Sequence, residues 1–227
     1  MCDRGGVPLL LCDLDNTLVD RTSLYRAWVR QLAEAHGGTG DDVDHLVQVD
    51  AEGMTSRELA AEAIRTRFAL TDEVPVLVER FRQEFASTFV ADVGVAEALV
   101  LARAAGWSIV IVTNGYPGQE AKIRAAGLDQ LVDGWCISAV EDVWKPDALI
   151  FERAASLVGS RLSADDWMVG DSAEADIAGG AGVGVGTAWL HRGRDWPLAD
   201  LRPTVVADSF AHAVEQVLGT DSTSNRR

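Results

Sequence analysis

The chain of 227 residues has little positive charge. Lysine and arginine together number 20, against 35 aspartates and glutamates, and the formal net charge is −15 at pH 7. Such a chain repels nucleic-acid backbones and anionic lipid headgroups. We therefore expect no nucleic acid and no membrane among its partners. An anionic substrate would need a local positive site, because the overall field repels it.

Lysine itself is scarce. The sequence contains only Lys122 and Lys145, against eighteen arginines. Where this chain needs a surface cation it almost always uses arginine. A solvated surface role therefore explains Lys145 poorly.

Cysteines are also few, and no apolar run is long. Cys2, Cys12 and Cys136 are odd in number and widely spaced, which does not fit a disulfide framework or a zinc site. We expect reduced packing residues and a cytoplasmic location. The longest apolar runs, VPLLLC and WSIVIV, are too short to cross a bilayer. The N-terminus shows no cationic segment followed by a long apolar stretch, so we expect no signal peptide.

Short apolar runs alternate with helical stretches in the second half of the sequence. They are continuous rather than alternating in polarity, which is typical of parallel strands covered on both faces. Together with a first strand in VPLLLC, they predict an α/β fold, a doubly wound parallel-sheet (Rossmann-like) core. The later strand candidates are residues 107–113, 135–138, 167–170 and 186–190.

Residues 20–91 interrupt this alternation and predict an inserted α-helical cap domain. Apolar residues recur there one helical turn apart, which indicates core packing. Ser56 and Asp72 are predicted helix N-caps. The α/β core is then residues 1–19 and 92–218, followed by a disordered tail at 219–227. The periodic apolar positions are Leu24, Trp28, Leu32, Leu77, Phe81, Phe85 and Phe89.

Polar side chains collect where the predicted strands end. In a doubly wound sheet, ligands bind beyond the carboxyl ends of the strands. Two neighbouring carboxylates there are costly to bury unless a cation compensates them, so the acids predict a divalent cation. The residues concerned are Asp13, Asp15, Thr113, Asn114, Lys145, Asp171 and Asp176.

Four short motifs carry a family resemblance. DLDNT (13–17), TNG (113–115), KP (145–146) and GDSAEAD (170–176) resemble, in this order, the four motifs of the haloacid dehalogenase (HAD) superfamily of phosphotransferases. The predicted cap is similar in position and helicity to that of the subgroup with a helical insertion after the first motif. The resemblance implies a magnesium-dependent phosphatase that hydrolyses a small phosphorylated metabolite.

The resemblance also implies a role for each acid. Asp13 would be the nucleophile that forms an aspartyl-phosphate, and Asp15 the general acid and base. Magnesium would be held by the Asp13 carboxylate, the Asp15 backbone carbonyl and Asp171, because it prefers hard oxygen ligands. Asp176 would orient those ligands.

The remaining implied roles concern the substrate. Thr113 and the Asn114 backbone N–H would hold phosphate oxygens, and Lys145 would neutralise charge on the transferring group. Arg57 and Tyr116 are expected to contact the substrate. Trp144 stands where the family more often has a small or basic residue, a change that can alter the pocket wall.

Other activities of the superfamily are alternatives to a phosphatase. A haloacid dehalogenase is disfavoured, because those enzymes lack the acid that Asp15 supplies. A phosphonatase is excluded, because it needs a lysine in the cap and residues 20–90 contain none. A phosphomutase of the β-phosphoglucomutase kind shares all four motifs, and a non-catalytic binding module is a further alternative. Sugar phosphates, phosphoglycolate and nucleoside monophosphates all suit the family as substrates. The sequence does not indicate an oligomeric state.

Overall fold

The computed structural model describes residues 7–91 and 93–224. The chain divides into two compact units. Asp20–Val90 forms one, which we call the helical unit. Met1–Val19 and Ala91–Arg227 form the other, which we call the core unit.

The core unit is built on a six-stranded parallel sheet, and this confirms the predicted fold class. The strand order is β3-β2-β1-β4-β5-β6. All four residues of β1 are buried, as expected for a central strand covered on both faces. The strands are β1 (Leu9–Cys12), β2 (Ser108–Thr113), β3 (Gly134–Ile137), β4 (Trp167–Gly170), β5 (Gly186–Leu190) and β6 (Val205–Ala207).

The sheet order determines which strand ends meet. Cys12, the last residue of β1, is in register with Ile111 of β2 and Val169 of β4. The chain segments that follow these three strands therefore leave the same edge of the sheet side by side. This register brings together motifs that lie about 100 and about 150 residues apart in the sequence, DLDNT with TNG and DLDNT with GDSAEAD.

Helices surround the sheet and make up the helical unit. In the helical unit they are α1 (Arg21–Ala35), α2 (Gly40–Asp50), α3 (Arg57–Arg67) and α4 (Val74–Ala86). In the core unit they are α5 (Val93–Ala104), α6 (Gln119–Ala125), α7 (Ser138–Glu141), α8 (Ala148–Leu157), α9 (Gly179–Gly182) and α10 (Phe210–Ser224). Within the described residues, none of these helices has both the length and the apolar character needed to cross a membrane.

The helical unit has its own apolar core. Trp28, Leu77 and Phe81 are buried in it, which confirms that the aromatic stripe packs the interior. Ser56 caps α3 as predicted, since its hydroxyl accepts from the Leu59 N–H. Asp72 is not an N-cap, and that prediction was wrong.

The reason is a proline in the first turn of α4. Proline suits this position because it lacks the N–H that would have no partner there. With Pro75 in the first turn, α4 begins at Val74 and Glu73 becomes the N-cap. Asp72 instead pairs with Arg80, with its Oδ2 3.1 Å from Nη1.

Three further expectations concern the chain ends and the cysteines. Helix α10 continues through Ser224, which corrects the predicted disordered tail for residues 219–224, while 225–227 lie outside the described residues. Cys12 and Cys136 are buried free thiols, as expected. Burial raises the pKa of Cys136 to about 11 and that of Cys12 further still. Cys2 lies outside the described residues.

Candidate active site

Asp13 is the first residue after β1, and it is buried. Its N–H donates to the Val169 carbonyl of β4 at 2.9 Å, which fixes the backbone at the strand end. Its carboxylate Oδ1 accepts from Lys145 Nζ at 2.7 Å. The strand end therefore holds the carboxylate in one place and next to a cation.

Lys145 is the buried centre of the site. Its side chain is 1% exposed. Nζ donates to Asp13 Oδ1 at 2.7 Å, to Asp176 Oδ1 at 2.6 Å and to the Val112 carbonyl at 2.6 Å. These three bonds use all three protons of the ammonium group. Burial by itself would lower the pKa of Lys145, but Asp13 and Asp176 outweigh it and raise that pKa, so the lysine stays charged.

Asn114 fixes the loop that carries this lysine. Its side-chain Oδ1 accepts from the Lys145 N–H at 2.8 Å, and its Nδ2 donates to the Lys145 carbonyl at 3.0 Å. The two bonds join the segment after β2 to the segment before α8. The predicted contact of the Asn114 N–H with phosphate stays a prediction.

Asp171 and Asp176 complete a group of three acids with Asp13. One carboxylate oxygen from each lies within 4.8 Å of the others. Asp13 and Asp171, 158 positions apart in the sequence, are thus close enough to share one cation. Asp176 also accepts from the Ser172 N–H at 2.9 Å.

Asp176 reaches this position because of two local features. It lies in a short π-helix, Ala173–Ala178, which begins three residues after β4 ends. In addition, Gly170 at the end of β4 leaves room for it, since a Cβ there would lie 2.2 Å from Asp176 Oδ2. Any larger residue at 170 would displace the carboxylate.

Burial and mutual repulsion make the acids reluctant to ionise. Burial raises the pKa of Asp13 to about 8; Lys145 opposes this shift, while Asp176 and Asp171 add to it. Burial and Asp176 likewise raise the pKa of Asp171 to about 6, against the opposing effect of Arg194. The group therefore lacks positive charge, and a divalent cation would supply it.

The cations near these acids are engaged with them. Asp13, Asp15, Asp171 and Asp176 are in contact with Lys122, Lys145 and Arg194, and Arg192 also acts to lower the pKa of Asp171. A divalent cation would add positive charge and make the site more attractive to a phosphate. Clustered carboxylate oxygens are the donors that Mg²⁺ prefers, so these residues fit the predicted metal.

Asp15 lies beside this group but has its own partners. Its carboxylate accepts from Lys122 Nζ at 2.7 and 2.9 Å, and from Gln119 Nε2 at 2.9 Å. Gln119 Nε2 also donates to Thr113 Oγ1 at 2.8 Å. Neither of these two α6 residues was predicted from the sequence. The scarcity of lysine was the signal that could have drawn attention to Lys122.

Arg194 was missed as well. Its Nη2 donates to both the side chain and the backbone carbonyl of Asp171, each at 2.8 Å. Trp189 Nε1 donates to the same carbonyl at 2.9 Å. These contacts fix Asp171 from the β5 side of β4, opposite β1. Trp189 belongs to β5 and Arg194 to the loop that follows it, beyond the four motifs.

The two predicted substrate contacts fall in different units. Tyr116 lies in the core unit, two residues after Asn114, and is 58% exposed. Its ring makes an edge-on contact with Trp144, with ring centres 6.2 Å apart. Arg57 begins α3 in the helical unit. Its contact with substrate stays a prediction.

Comparisons with known proteins give a consistent family. Pyrimidine 5'-nucleotidase YjjG of Escherichia coli is 35% identical over 111 residues, which cover 48% of this chain and 49% of that protein. The chain thus spans about half the length of this relative. Pyrimidine 5'-nucleotidase PynA of Streptococcus pneumoniae is 26% identical over 202 residues, 80% of this chain and 83% of that protein.

A solved structure shares the fold. The HAD-hydrolase YfnB of Bacillus subtilis, determined with bound magnesium, superposes with a TM-score of 0.73 at 21% identity, over 94% of this chain and 97% of that one. A family model described as haloacid dehalogenase-like hydrolase matches residues 7–184. Because that match takes in most of the sequence and all four motifs, the chain belongs to the haloacid dehalogenase-like hydrolase family.

Proposed function

We propose that this protein is a magnesium-dependent phosphatase that hydrolyses a small phosphorylated metabolite through an aspartyl-phosphate on Asp13. The observation that carries the proposal is the grouping of Asp13, Asp171 and Asp176 within 4.8 Å around one buried lysine. Burying several acids side by side is costly. Such a group is useful to a protein that binds a cation and a phosphate there.

Asp13 is placed to act as the nucleophile. One of its oxygens is held by Lys145, so the other is left to attack phosphorus. As the new O–P bond forms, the bond from phosphorus to the substrate's ester oxygen breaks. Bound Mg²⁺ would stabilise the charged form of Asp13 and the negative charge on the phosphoryl group.

Asp15 would transfer the protons of both steps. It begins the cycle as the carboxylic acid and gives its proton to the departing ester oxygen as the bond to phosphorus breaks, and the resulting carboxylate later removes a proton from the water that attacks the aspartyl-phosphate. The water's oxygen forms a bond to phosphorus as the bond to Asp13 breaks. Inorganic phosphate leaves, and both carboxylates return to their starting state. Thr113 would hold a phosphate oxygen during both steps.

A nucleoside monophosphate is the substrate class we propose among the three that the sequence left open. Both curated relatives are named as pyrimidine 5'-nucleotidases. The exposed pair Tyr116 and Trp144 adds a physical reason, because aromatic rings of this kind stack on a planar base. Both residues adjoin the segments that Asn114 joins to Lys145.

The first experiment measures phosphate release from a panel of nucleoside monophosphates, sugar phosphates and phosphoglycolate, with Mg²⁺ or with a chelator. We expect release with Mg²⁺ only, and fastest from a nucleoside monophosphate. Asp13→Asn should reduce turnover by on the order of 10⁴-fold or more, since it removes the nucleophile. Equal, slow release by wild type and Asp13→Asn would contradict the proposal.

The same panel tests the phosphomutase alternative. A mutase would convert one sugar phosphate into its isomer and release little inorganic phosphate. Product analysis by phosphorus NMR separates the two outcomes. A cytoplasmic location also remains a prediction, with the buried free thiols of Cys12 and Cys136 in its favour.

A further inference from the structure

Building on the proposed phosphatase function, we infer that Lys122 and Gln119 are positioning residues that hold the Asp15 carboxylate in line for both of its proton transfers. Neither residue belongs to the four family motifs. Both lie on α6, one helical turn apart, so their side chains leave the same face of the helix.

The contacts leave the carboxylate little freedom. Lys122 Nζ lies 2.9 Å from Oδ1 and 2.7 Å from Oδ2, so the ammonium group bridges both oxygens. Gln119 Nε2 adds a third bond, to Oδ2 at 2.9 Å. These three hydrogen bonds, from two donor groups, fix both the position and the plane of the carboxylate.

The ion pair is also sheltered. The Lys122 side chain is 12% exposed and that of Asp15 is 23% exposed. Exposed pairs on the surface contribute little, because water and salt screen them. Here most of that screening is removed, so the interaction can hold the carboxylate against thermal rotation.

Gln119 connects this carboxylate to the predicted phosphate-binding hydroxyl. Its Nε2 divides its two protons between Asp15 Oδ2 and Thr113 Oγ1, the latter at 2.8 Å. Gly115 permits the approach, since a Cβ there would lie 2.7 Å from Gln119 Cγ. One buried amide thus fixes the distance between the proton-transfer group and the phosphate site.

The use of the lysines supports a specific role. The chain has two, Lys145 and Lys122, and they contact Asp13 and Asp15 respectively. Lysine is a compact point charge with three donors, whereas arginine presents a broad planar fork. Each acid of the first motif therefore has its own ammonium partner in a chain that otherwise uses arginine.

The test uses leaving groups of different basicity. A 4-nitrophenolate leaves without a proton, whereas the alkoxide of a nucleoside monophosphate or glycerol phosphate requires one. We expect Lys122→Met to lower kcat/KM for the alkyl esters by about 10- to 100-fold. For 4-nitrophenyl phosphate the loss in kcat/KM should stay within a few-fold, because this ratio reports the formation of the aspartyl-phosphate. The value of kcat should fall for both esters, since hydrolysis of the aspartyl-phosphate also needs Asp15.

Controls separate positioning from general damage. Arg124→Met is a matched change on the same helix, where Arg124 pairs with exposed Glu120, and it should leave both substrates unaffected. Lys122→Arg should recover part of the alkyl-ester activity. Gln119→Met should show the same leaving-group dependence, and it keeps the test valid if Lys122→Met does not fold. Unfolding curves for each variant report whether the protein is folded.

A double variant gives the sharpest readout. If Lys122 acts through Asp15, Lys122→Met should cost almost nothing further in an Asp15→Asn background. Equal losses in kcat/KM for both ester classes would overturn the inference. So would full additivity of the Lys122→Met and Asp15→Asn losses in the double variant. Failure of the proposed function looks different, because wild type itself would then release no phosphate in excess of Asp13→Asn.

Discussion

Two buried ion clusters, one in each unit, differ in how many acids meet at one cation. In the helical unit, Arg21 donates two parallel bonds to Asp50, of 2.6 and 2.8 Å. In the core unit, Lys145 is shared by Asp13 and Asp176, and Asp171 lies within reach of the same cation position. The first cluster joins two unlike charges, whereas the second brings three like charges together.

The difference separates structure from function. The Arg21–Asp50 pair joins the start of α1 to the end of α2, and the guanidinium also lies over the ring of Tyr25 at 5.4 Å. In this pair each buried charge faces one of opposite sign. Around Lys145, burial and the repulsion between neighbouring acids raise the pKa of Asp13 and of Asp171, and a bound cation would favour their charged forms. The crowding of like charges, rather than burial alone, therefore marks the candidate site.

Of the changes that remove a cation from either cluster, the largest effect is expected from the loss of Lys145 in the core unit. Lys145→Met leaves Asp13 and Asp176 without their ammonium partner, and we expect kcat/KM for phosphate release to fall by about 10²- to 10³-fold. The free energy of unfolding should fall by about 3–5 kcal/mol, because the acids stay buried and unpaired. Steady-state kinetics and urea unfolding measure the two effects. A variant of full activity would remove the distinction between the clusters.

The corresponding change in the helical unit should affect stability by a similar amount but can be repaired. Arg21→Met leaves Asp50 buried without its cationic partner, at an expected cost of about 3–5 kcal/mol. Adding Asp50→Leu should recover most of that loss, since a neutral pair can be replaced by apolar side chains. Urea unfolding of the single and double variants checks this. If stability did not recover in the double variant, Arg21 and Asp50 would have a role beyond neutralising each other's charge.

The free energy of unfolding should also depend on pH, through the buried acids of the core unit. The folded-state pKa of Asp13 is about 8, above its ordinary value of 3.8. Between these values the folded protein binds a proton that the unfolded chain does not, so stability falls as pH rises from about 4 to about 8. Asp13 alone contributes a slope of at most about 1.4 kcal/mol per pH unit.

Asp13→Asn should remove that part of the slope, and added Mg²⁺ should oppose the loss of stability at pH 8 in the wild type. Unfolding curves at several pH values, with and without Mg²⁺, measure both effects. A slope that is the same in the variant and the wild type would show that folding does not raise the pKa of Asp13.

The smallest effect is expected from a pair that is balanced but exposed. Arg82 and Glu79 lie one turn apart on α4, with Nη2 2.7 Å from Oε1. Arg82→Ala should leave the urea midpoint within experimental scatter, because solvent screens such pairs. A clear shift would mean that charge balance by itself, without burial, decides the cost of losing a partner.

Much of the core unit could be predicted from its sequence. The strands β4 and β5 coincide with the predicted runs 167–170 and 186–190, because continuous apolar segments bounded by glycine or by polar residues favour buried parallel strands. Strand β6 was missed. It has three residues with an exposed valine at its centre, too short a run to show a pattern.

The candidate site was predicted in part, for a similar reason. Asp13, Asp171 and Asp176 are identified by their places at strand ends, and the register of β1 with β4 brings them together. Lys122 and Arg194 lie on segments whose sequence has no distinctive pattern. Their contacts depend on how a helix and a loop pack, which local sequence does not specify.

The sequence by itself determined the two-part division of the molecule, the parallel strands and the acids that follow them, because apolar periodicity and strand ends are local properties of the chain. Only the tertiary structure decided which cation meets which acid. Lys122 contacts Asp15 across 107 positions because the strand order puts β2 beside β1 and α6 follows β2. A contact of that kind follows from sheet topology and side-chain packing, which no short stretch of residues encodes.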